Sequence, residues 1–208
     1  FVFTAMCVLP FLETLCRLLN INSIPASQVL VQHFTLWIGL LGAVLASREN
    51  KLLALTREPL LSREKKLSVG KWIAKLITFF VLISLAWGSW ELVKIEMEYP
   101  VNIAPGIPRW LAQLIMPLGF GLIAFQVYMN SYEKQIHKIS LLIFSAILVY
   151  SSYSDFLLDT IPVLYVGTFI ILVALFYGSP IFVGLGGLAV LLFWYDYTPI
   201  SAIPAEAY

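Results

Sequence analysis

The chain has few charged residues, which excludes an ordinary water-soluble domain. Only 12% of its 208 residues are charged, 60% are hydrophobic, and mean hydropathy is +0.88. The 36 residues from Thr160 to Tyr195 carry no charge and are interrupted only by a Gly-Ser-Pro sequence at 178–180. A crossing of the hydrocarbon core takes about 20 apolar residues. This run therefore predicts two crossings joined by a tight turn, in an integral membrane protein.

The first residue is Phe1 rather than Met, and the last residues, 205–208, do not resemble a natural end. We therefore expect a fragment of a longer polypeptide. The opening apolar stretch has neither a basic region nor a small-residue cleavage site, which disfavours a signal peptide.

Long charge-poor runs bounded by turn residues predict an all-α integral membrane protein with about seven transmembrane helices. The predicted spans are residues 1–19, 27–47, 73–93, 110–130, 139–153, 161–177 and 180–195. The fifth span is short and rich in serine. Ser27 could cap the second helix, because a serine hydroxyl can satisfy a free backbone N–H.

The basic residues are distributed unevenly, which predicts an orientation. Eight of the thirteen Lys and Arg residues lie within 48–75, and the positive-inside bias places that segment in the cytoplasm. Segments 20–26, 155–160 and 196–208 have no Lys or Arg and fall outside, whereas Lys94 and Arg109 go against the trend. Leucines alternate with charges in the basic segment, and a second stretch opens at Ser68. This pattern predicts amphipathic cytoplasmic surface helices between the second and third spans, with a solvated linker as the alternative.

Cysteine and histidine are scarce, which limits redox, metal and haem chemistry. Cys7 and Cys16 lie about 13 Å apart along one predicted helix and cannot pair, and no CxxC motif occurs. We predict buried, unreactive thiols. His33 belongs to the outer half of a span and His137 to the cytoplasmic side, so they cannot share a haem. We predict no metal, no cofactor and no enzymatic activity, since no nucleophile, acid and base are clustered.

Two predicted spans carry polar or small residues that suit contacts inside a membrane. Glu13 and Arg17 lie four residues apart on one face of the first helix and are predicted to form a structural intramembrane pair. A role for Glu13 in proton or ion coupling is the alternative. His33, Trp37 and four small residues of the second helix, Gly39, Gly42, Ala43 and Ala46, are predicted to pack against other helices.

The predicted external loop after the third span is acidic and rich in proline. Its charged residues Glu96, Glu98 and Arg109 are predicted to receive a soluble partner, and a plain connector is the alternative. Pro117 and Gly119, within the fourth span, predict a kink and a close helix contact.

Four sequence elements resemble the small membrane subunit of TRAP transporters, the DctQ type. They are Leu12-Glu13 with Arg17, the run 31–43 (VQHFTLWIGLLGA from Val31) continuing to Ala46-Ser47-Arg48-Glu49, Ala86-Trp87 with Trp90-Glu91, and Gly106-Ile107-Pro108-Arg109-Trp110 leading to Met116-Pro117-Leu118-Gly119-Phe120. Residues 177–187 and 199–208 resemble the first helical hairpin of the large DctM-type subunit and the segment after it. The resemblance implies a small-subunit-like four-helix domain at 1–132, a linking helix at 133–158 and the truncated start of a fused large subunit at 159–208.

The resemblance also implies a function. TRAP transporters are sodium-coupled importers of organic acids such as dicarboxylates or sialic acid, and they reside in the bacterial inner membrane. Their partners are the large subunit, a periplasmic substrate-binding protein and membrane lipid, with no nucleic acid. The substrate and sodium sites of the family belong to later parts of the large subunit, so no substrate ligand is assigned here. A membrane scaffold or assembly protein without a transport role is the alternative.

Overall fold

A computed structural model describes residues 2–19, 27–49, 52, 64–104, 106–130, 135–152 and 163–206. The elements in order are α1 (Val2–Leu18), α2 (Ser27–Arg48), α3 (Glu64–Glu98), β1 (Asn102–Ala104), β2 (Ile107–Pro108), α4 (Arg109–Gln113), α5 (Ile115–Met129), α6 (Gln135–Ser152), α7 (Val163–Phe176), α8 (Ile181–Tyr195) and α9 (Ala202–Glu206). Apolar helices suit such a sequence because a helix satisfies its backbone polar groups internally, as a lipid environment requires.

The structure corrects the predicted number of spans. Within the described residues, three helical stretches are long and apolar enough to cross a membrane: Val29–Arg48, Gly70–Glu98 and Arg109–Met129, with 20, 29 and 21 residues. They coincide with the second, third and fourth predicted spans. The apolar parts of α1, α7 and α8 have only 10–17 residues, fewer than the roughly 20 that a span needs. Within the part of the chain that the structure describes, three spans rather than seven are therefore supported.

Helix α3 corrects the expectation of a separate surface helix at Ser68. It runs for 35 residues without interruption, about 52 Å at 1.5 Å per residue. The stretch from Ser68 to Lys75 is thus part of the same helix as the span that follows. No proline occurs between Pro59 and Pro100 to break it. The remainder of the predicted surface helices, residues 53–63, lies outside the described residues.

The hydrophobic core is organised around α3, which contacts α4, α5, α6, α7, α8 and α9. One side of α3 packs on α7, α8 and α9 through a cluster that includes Val81, Leu85, Ile171 and Val183. A second side packs on α5 and α6 through Leu82, Ile123 and Leu141. Helix α2 joins through a third cluster of Leu40, Leu92 and Met116, and α1 packs on α2.

The fourth predicted span is interrupted between α4 and α5, at Leu114. Pro117 lies three residues later and has no N–H, so the carbonyl of Gln113 lacks its usual helical donor, and the proline ring crowds that carbonyl. The helical assignment is therefore interrupted one turn before the proline, and the kink predicted from Pro117 stays a prediction.

The turn predicted at residues 178–180 is present between α7 and α8. Gly178 adopts a left-handed conformation, with φ of 94°. The Ser179 N–H donates to the Ala174 carbonyl at 3.0 Å, and the Gly178 N–H donates to the Leu175 carbonyl at 3.1 Å. These two bonds form a Schellman cap, in which glycine is favoured because it has no Cβ.

Candidate functional site

A short β-hairpin joins α3 to α4, at the loop where the sequence predicted partner docking. β1 and β2 are antiparallel, with Asn102 opposite Pro108 and Ala104 opposite Ile107. The Arg109 N–H donates to the Val101 carbonyl at 2.8 Å and closes the hairpin. Gly106 lies in the turn with φ of 84°, a conformation that favours glycine. The described residues of this loop therefore form a hairpin.

An ion pair fixes the hairpin to the end of α3. The Arg109 guanidinium Nη1 donates to Glu96 Oε1 at 3.2 Å. The Glu96 side chain is only 14% exposed and that of Arg109 is 36% exposed. Two of the three residues predicted to contact a partner are thus engaged with each other. The Glu96–Arg109 pair acts directly on the position of the hairpin. Of the three predicted contact residues, only Glu98 is classed as exposed.

Several apolar residues within and just before the hairpin are exposed. Tyr99 is 75% exposed, and Met97, Val101 and Ile107 are also exposed. Together with Glu98 they form what we call the hairpin rim (Met97, Glu98, Tyr99, Val101, Ile107). Sequence reasoning selected the charges of this loop and missed the apolar rim. The alternation that marks a strand is too short here, at three and two residues, to be recognised.

Helix α2 contacts the element after the hairpin through Trp37, one of its predicted packing residues, and buries a second, His33. The Trp37 indole Nε1 donates to the Ala112 carbonyl in α4 at 2.8 Å. His33 is buried, and its Nδ1 lies 2.7 Å from the Val29 carbonyl one turn earlier, to which it can donate. Trp37 therefore couples the second span to the element that follows the hairpin. His33 is placed within the protein.

The small residues of α2 and α5 divide into a packed and an open set. Gly119 is buried, and a Cβ built there would lie 3.2 Å from Leu40, so this glycine permits close contact of α5 with α2. Gly39 and Gly42 are exposed, and a Cβ at either would meet no described atom within 4 Å. Ala43 packs at the edge of the second core cluster, and Ala46 is half-buried. Packing at Gly39 and Gly42 stays a prediction for a partner outside the described residues.

The Glu13 side chain has a partner that the sequence did not indicate. The Ser27 hydroxyl, at the start of α2, donates a hydrogen bond to Glu13 Oε2. Ser27 is buried, so the bond ties α1 to α2 within the protein. The side chain of Arg17 lies outside the described residues, and the predicted Glu13–Arg17 pair stays a prediction. Cys7 and Cys16 are free, and Cys7 is exposed on α1, which corrects the expectation that both are buried.

A second contact region joins α3 to the turn and helices that follow residue 163. The Ser179 hydroxyl donates to the Ala74 carbonyl at 3.1 Å and lies 3.3 Å from the Thr78 hydroxyl, with all three residues buried. Further along α3, a Cβ built on Gly88 would lie 2.7 Å from the Ile200 carbonyl oxygen. Residues 163–206 are therefore packed closely on α3 along its length.

Among the residues that the structure describes, no group of three or more His, Cys, Asp or Glu side chains is placed to hold a metal ion. The sequence profile of the family described as "Tripartite ATP-independent periplasmic transporters, DctQ component" matches residues 6–136. That match covers more than half of the 208 residues. The chain belongs to the DctQ family. No curated protein sequence matches it.

Membership in the DctQ family makes this chain a membrane component of a TRAP transporter, and this is a family of transporter components rather than enzymes. DctQ proteins work with a DctM subunit and a periplasmic binding protein. The family match extends over α1 to α5 and includes the hairpin, so the rim and its supporting ion pair are part of the DctQ region.

Proposed function

We propose that this chain serves a sodium-coupled, binding-protein-dependent importer of organic acids, of the dicarboxylate or sialic acid type. Its DctQ region acts as scaffold and as a docking surface for the periplasmic binding protein. The observation that carries the proposal is the DctQ match over residues 6–136. In the proposed arrangement the chain resides in a bacterial inner membrane, with the basic segment 48–75 in the cytoplasm and the hairpin in the periplasm.

The hairpin has the properties that a docking surface needs. Its backbone is fixed by the β1–β2 pairing and the Glu96–Arg109 pair, so docking would order few additional residues. Tyr99 offers a large exposed aromatic surface of the kind that dominates binding energies at protein interfaces. Glu98 adds a charge at the rim, which affects the rate and specificity of association more than affinity.

The scaffold part of the proposal includes fusion to a large subunit. We propose that residues 159–208 form the start of a DctM-type subunit, joined to the DctQ region by a linking helix within 133–158. Helix α6 lies in that linking segment and packs on α3. The buried Ser179–Ala74 hydrogen bond and the Gly88–Ile200 contact support a permanent junction. Sodium and substrate ligands are assigned to parts of the large subunit beyond these residues.

Uptake by the complete transporter in proteoliposomes, measured against binding-protein concentration, tests the docking proposal. Tyr99→Ser should raise the half-saturating concentration of binding protein by about 5–30-fold, corresponding to a loss of 1–2 kcal/mol. Tyr165→Ser is the matched control, because Tyr165 is 77% exposed on α7 and Tyr99 is 75% exposed. Equal half-saturating concentrations for the Tyr99 and Tyr165 variants, with normal assembly, would place the docking site elsewhere.

A further inference from the structure

An apolar groove lies on the side of α3 that faces α5 and α6. Its volume is about 420 Å³, and it is open on one side. The side chains that define its length and width are Phe79, Trp87 and Trp90 of α3, Gly121 and Tyr128 of α5, and Leu142 of α6. Because α3 and α5 belong to stretches long enough to span a membrane, the groove runs along two candidate membrane-spanning helices.

The dimensions of the groove fit one hydrocarbon chain. From Phe79 to Trp90 it follows α3 for about 17 Å, at 1.5 Å per residue. The volume of 420 Å³, spread over that length, is a narrow and elongated space of a shape that suits a hydrocarbon chain. Its depth comes from Gly121, where a Cβ would meet no described atom within 4 Å.

One end of the groove carries a positive charge at the level expected for lipid headgroups. The Lys94 Nζ lies 5.8 Å from the ring centroid of Trp87 and 6.0 Å from that of Trp90. Tryptophan is enriched where a membrane meets water. The nearby Glu91 accepts a hydrogen bond from Trp87 Nε1 at 3.0 Å. Glu91 thereby orients an indole of the groove, and its carboxylate partly offsets the Lys94 charge.

The opposite end is arranged differently. Lys75 lies one turn before Phe79, and its Nζ donates to the Asn130 carbonyl at 3.0 Å. That ammonium group is engaged in joining α3 to the end of α5, whereas Lys94 is exposed at the surface. The position of the charge therefore points to one orientation for a bound amphiphile, with its anionic group at Lys94.

We propose that this groove binds a glycerophospholipid, with one acyl chain between α3, α5 and α6 and its phosphate at Lys94. The apolar lining provides the site for the acyl chain, and the ammonium group of Lys94 complements the negative charge of the lipid phosphodiester. The proposal does not depend on the transported substrate or on partner docking. The lipid would fill the space left between α3 and α5 at Gly121 and so form part of the packed protein.

The test uses the full chain in phosphatidylglycerol vesicles that contain a trace of phosphatidylglycerol with a photoreactive diazirine in one acyl chain. After illumination, attached lipid is mapped by peptide mass spectrometry. We expect label on the segments 79–90 and 121–128 at several times the level on the exposed residues Leu41 and Leu45 of α2. Uniform labelling of the groove and of α2 would show only general contact with lipid and overturn the proposal.

Two pairs of variants make the test specific. Gly121→Leu fills the groove and should lower its labelling about fivefold or more, whereas Gly42→Leu should leave it unchanged, because Gly42 does not line the groove. The two positions are matched, since a Cβ at either glycine meets no described atom within 4 Å. If Gly121→Leu fails to assemble, Gly121→Val replaces it. Lys94→Gln should lower labelling and Lys94→Arg should preserve it. If Gly121→Leu does not change the labelling of the groove, the proposed acyl-chain site is overturned. If Lys94→Gln and Lys94→Arg are labelled equally, the proposed phosphate contact is overturned.

Discussion

At the residue scale, the Glu96–Arg109 pair is the interaction whose strength can be measured most directly. It is partly buried, and Glu96 Oε2 and Arg109 Nε have no hydrogen-bond partner among the described residues. Removing one charge should therefore leave the other poorly solvated. We expect Glu96→Gln or Arg109→Gln to lower the free energy of unfolding by about 1–2 kcal/mol, between the values of exposed and fully buried pairs.

Thermal unfolding in detergent measures this effect, and a double-mutant cycle isolates the pair. The double variant Glu96→Gln/Arg109→Gln should be less destabilised than the sum of the two single variants, because neither charge is left without its partner. Glu98→Gln is the control, since Glu98 is exposed two residues away. Additive single effects would show that the two side chains are not coupled.

The Trp37 indole provides a second residue-scale prediction. Trp37→Phe removes the donor to the Ala112 carbonyl and leaves a buried acceptor unsatisfied, so we expect a loss of about 1–3 kcal/mol. Trp194→Phe is the matched control, because the Trp194 Nε1 is buried without a hydrogen-bond partner among the described residues. The same loss in both variants would assign the effect to side-chain volume, as measured by thermal unfolding.

Residue-level expectations could be drawn where a residue type restricts its own surroundings and were incomplete where the partner is distant in sequence. His33 was expected to be a packing residue, and the structure buries it in α2. Ser27 was considered only as a helix cap, although its hydroxyl donates to Glu13, fourteen residues earlier. A pairing between two helices depends on their relative rotation, which a single sequence does not specify.

At the element scale, proline and glycine gave the most reliable signals. Pro117 marked the interruption between α4 and α5, and Gly178 marked the turn between α7 and α8. The hairpin was missed because its strands are too short for a periodic pattern. The continuity of α3 was also missed, since a change from mixed to apolar composition at Ile73 resembles a boundary although no residue there ends a helix.

Two glycine substitutions test the packing of α3 against the segment before α9. Gly88→Ala would place a Cβ 2.7 Å from the Ile200 carbonyl oxygen, too close for a carbon atom, so the segment must shift. We expect a lower free energy of unfolding, by about 1–3 kcal/mol. Gly42→Ala is the matched control and should raise stability by up to about 1 kcal/mol, because alanine favours a helix and the position is open. Thermal unfolding reports both, and a stabilised Gly88→Ala variant would contradict this packing.

At the scale of the whole molecule, composition was sufficient to predict an all-α membrane protein, and the apolar helices agree. The number of spans was not predictable from composition, because α7 and α8 are apolar throughout and yet have only 14 and 15 residues. Such helices pack on α3 through small residues and a tight turn. Long runs without charge therefore predict that a protein lies in a membrane more reliably than they predict the number of its membrane-spanning helices.

The orientation of the molecule is the last prediction, and it follows from the distribution of basic residues. In a variant with Cys7 and Cys16 replaced by serine, Ser62→Cys in the basic segment should react with an impermeant maleimide only from the cytoplasmic face. Asn102→Cys, in the exposed hairpin, should react only from the periplasmic face, because the 29-residue stretch Gly70–Glu98 separates the two positions and can cross the membrane once. Spheroplasts and inverted vesicles provide the two faces, and detergent-solubilised protein controls for access. Labelling of both cysteines from one face would mean that α3 does not cross the membrane, and labelling of both from the cytoplasmic face would also remove the hairpin rim from the compartment of the binding protein.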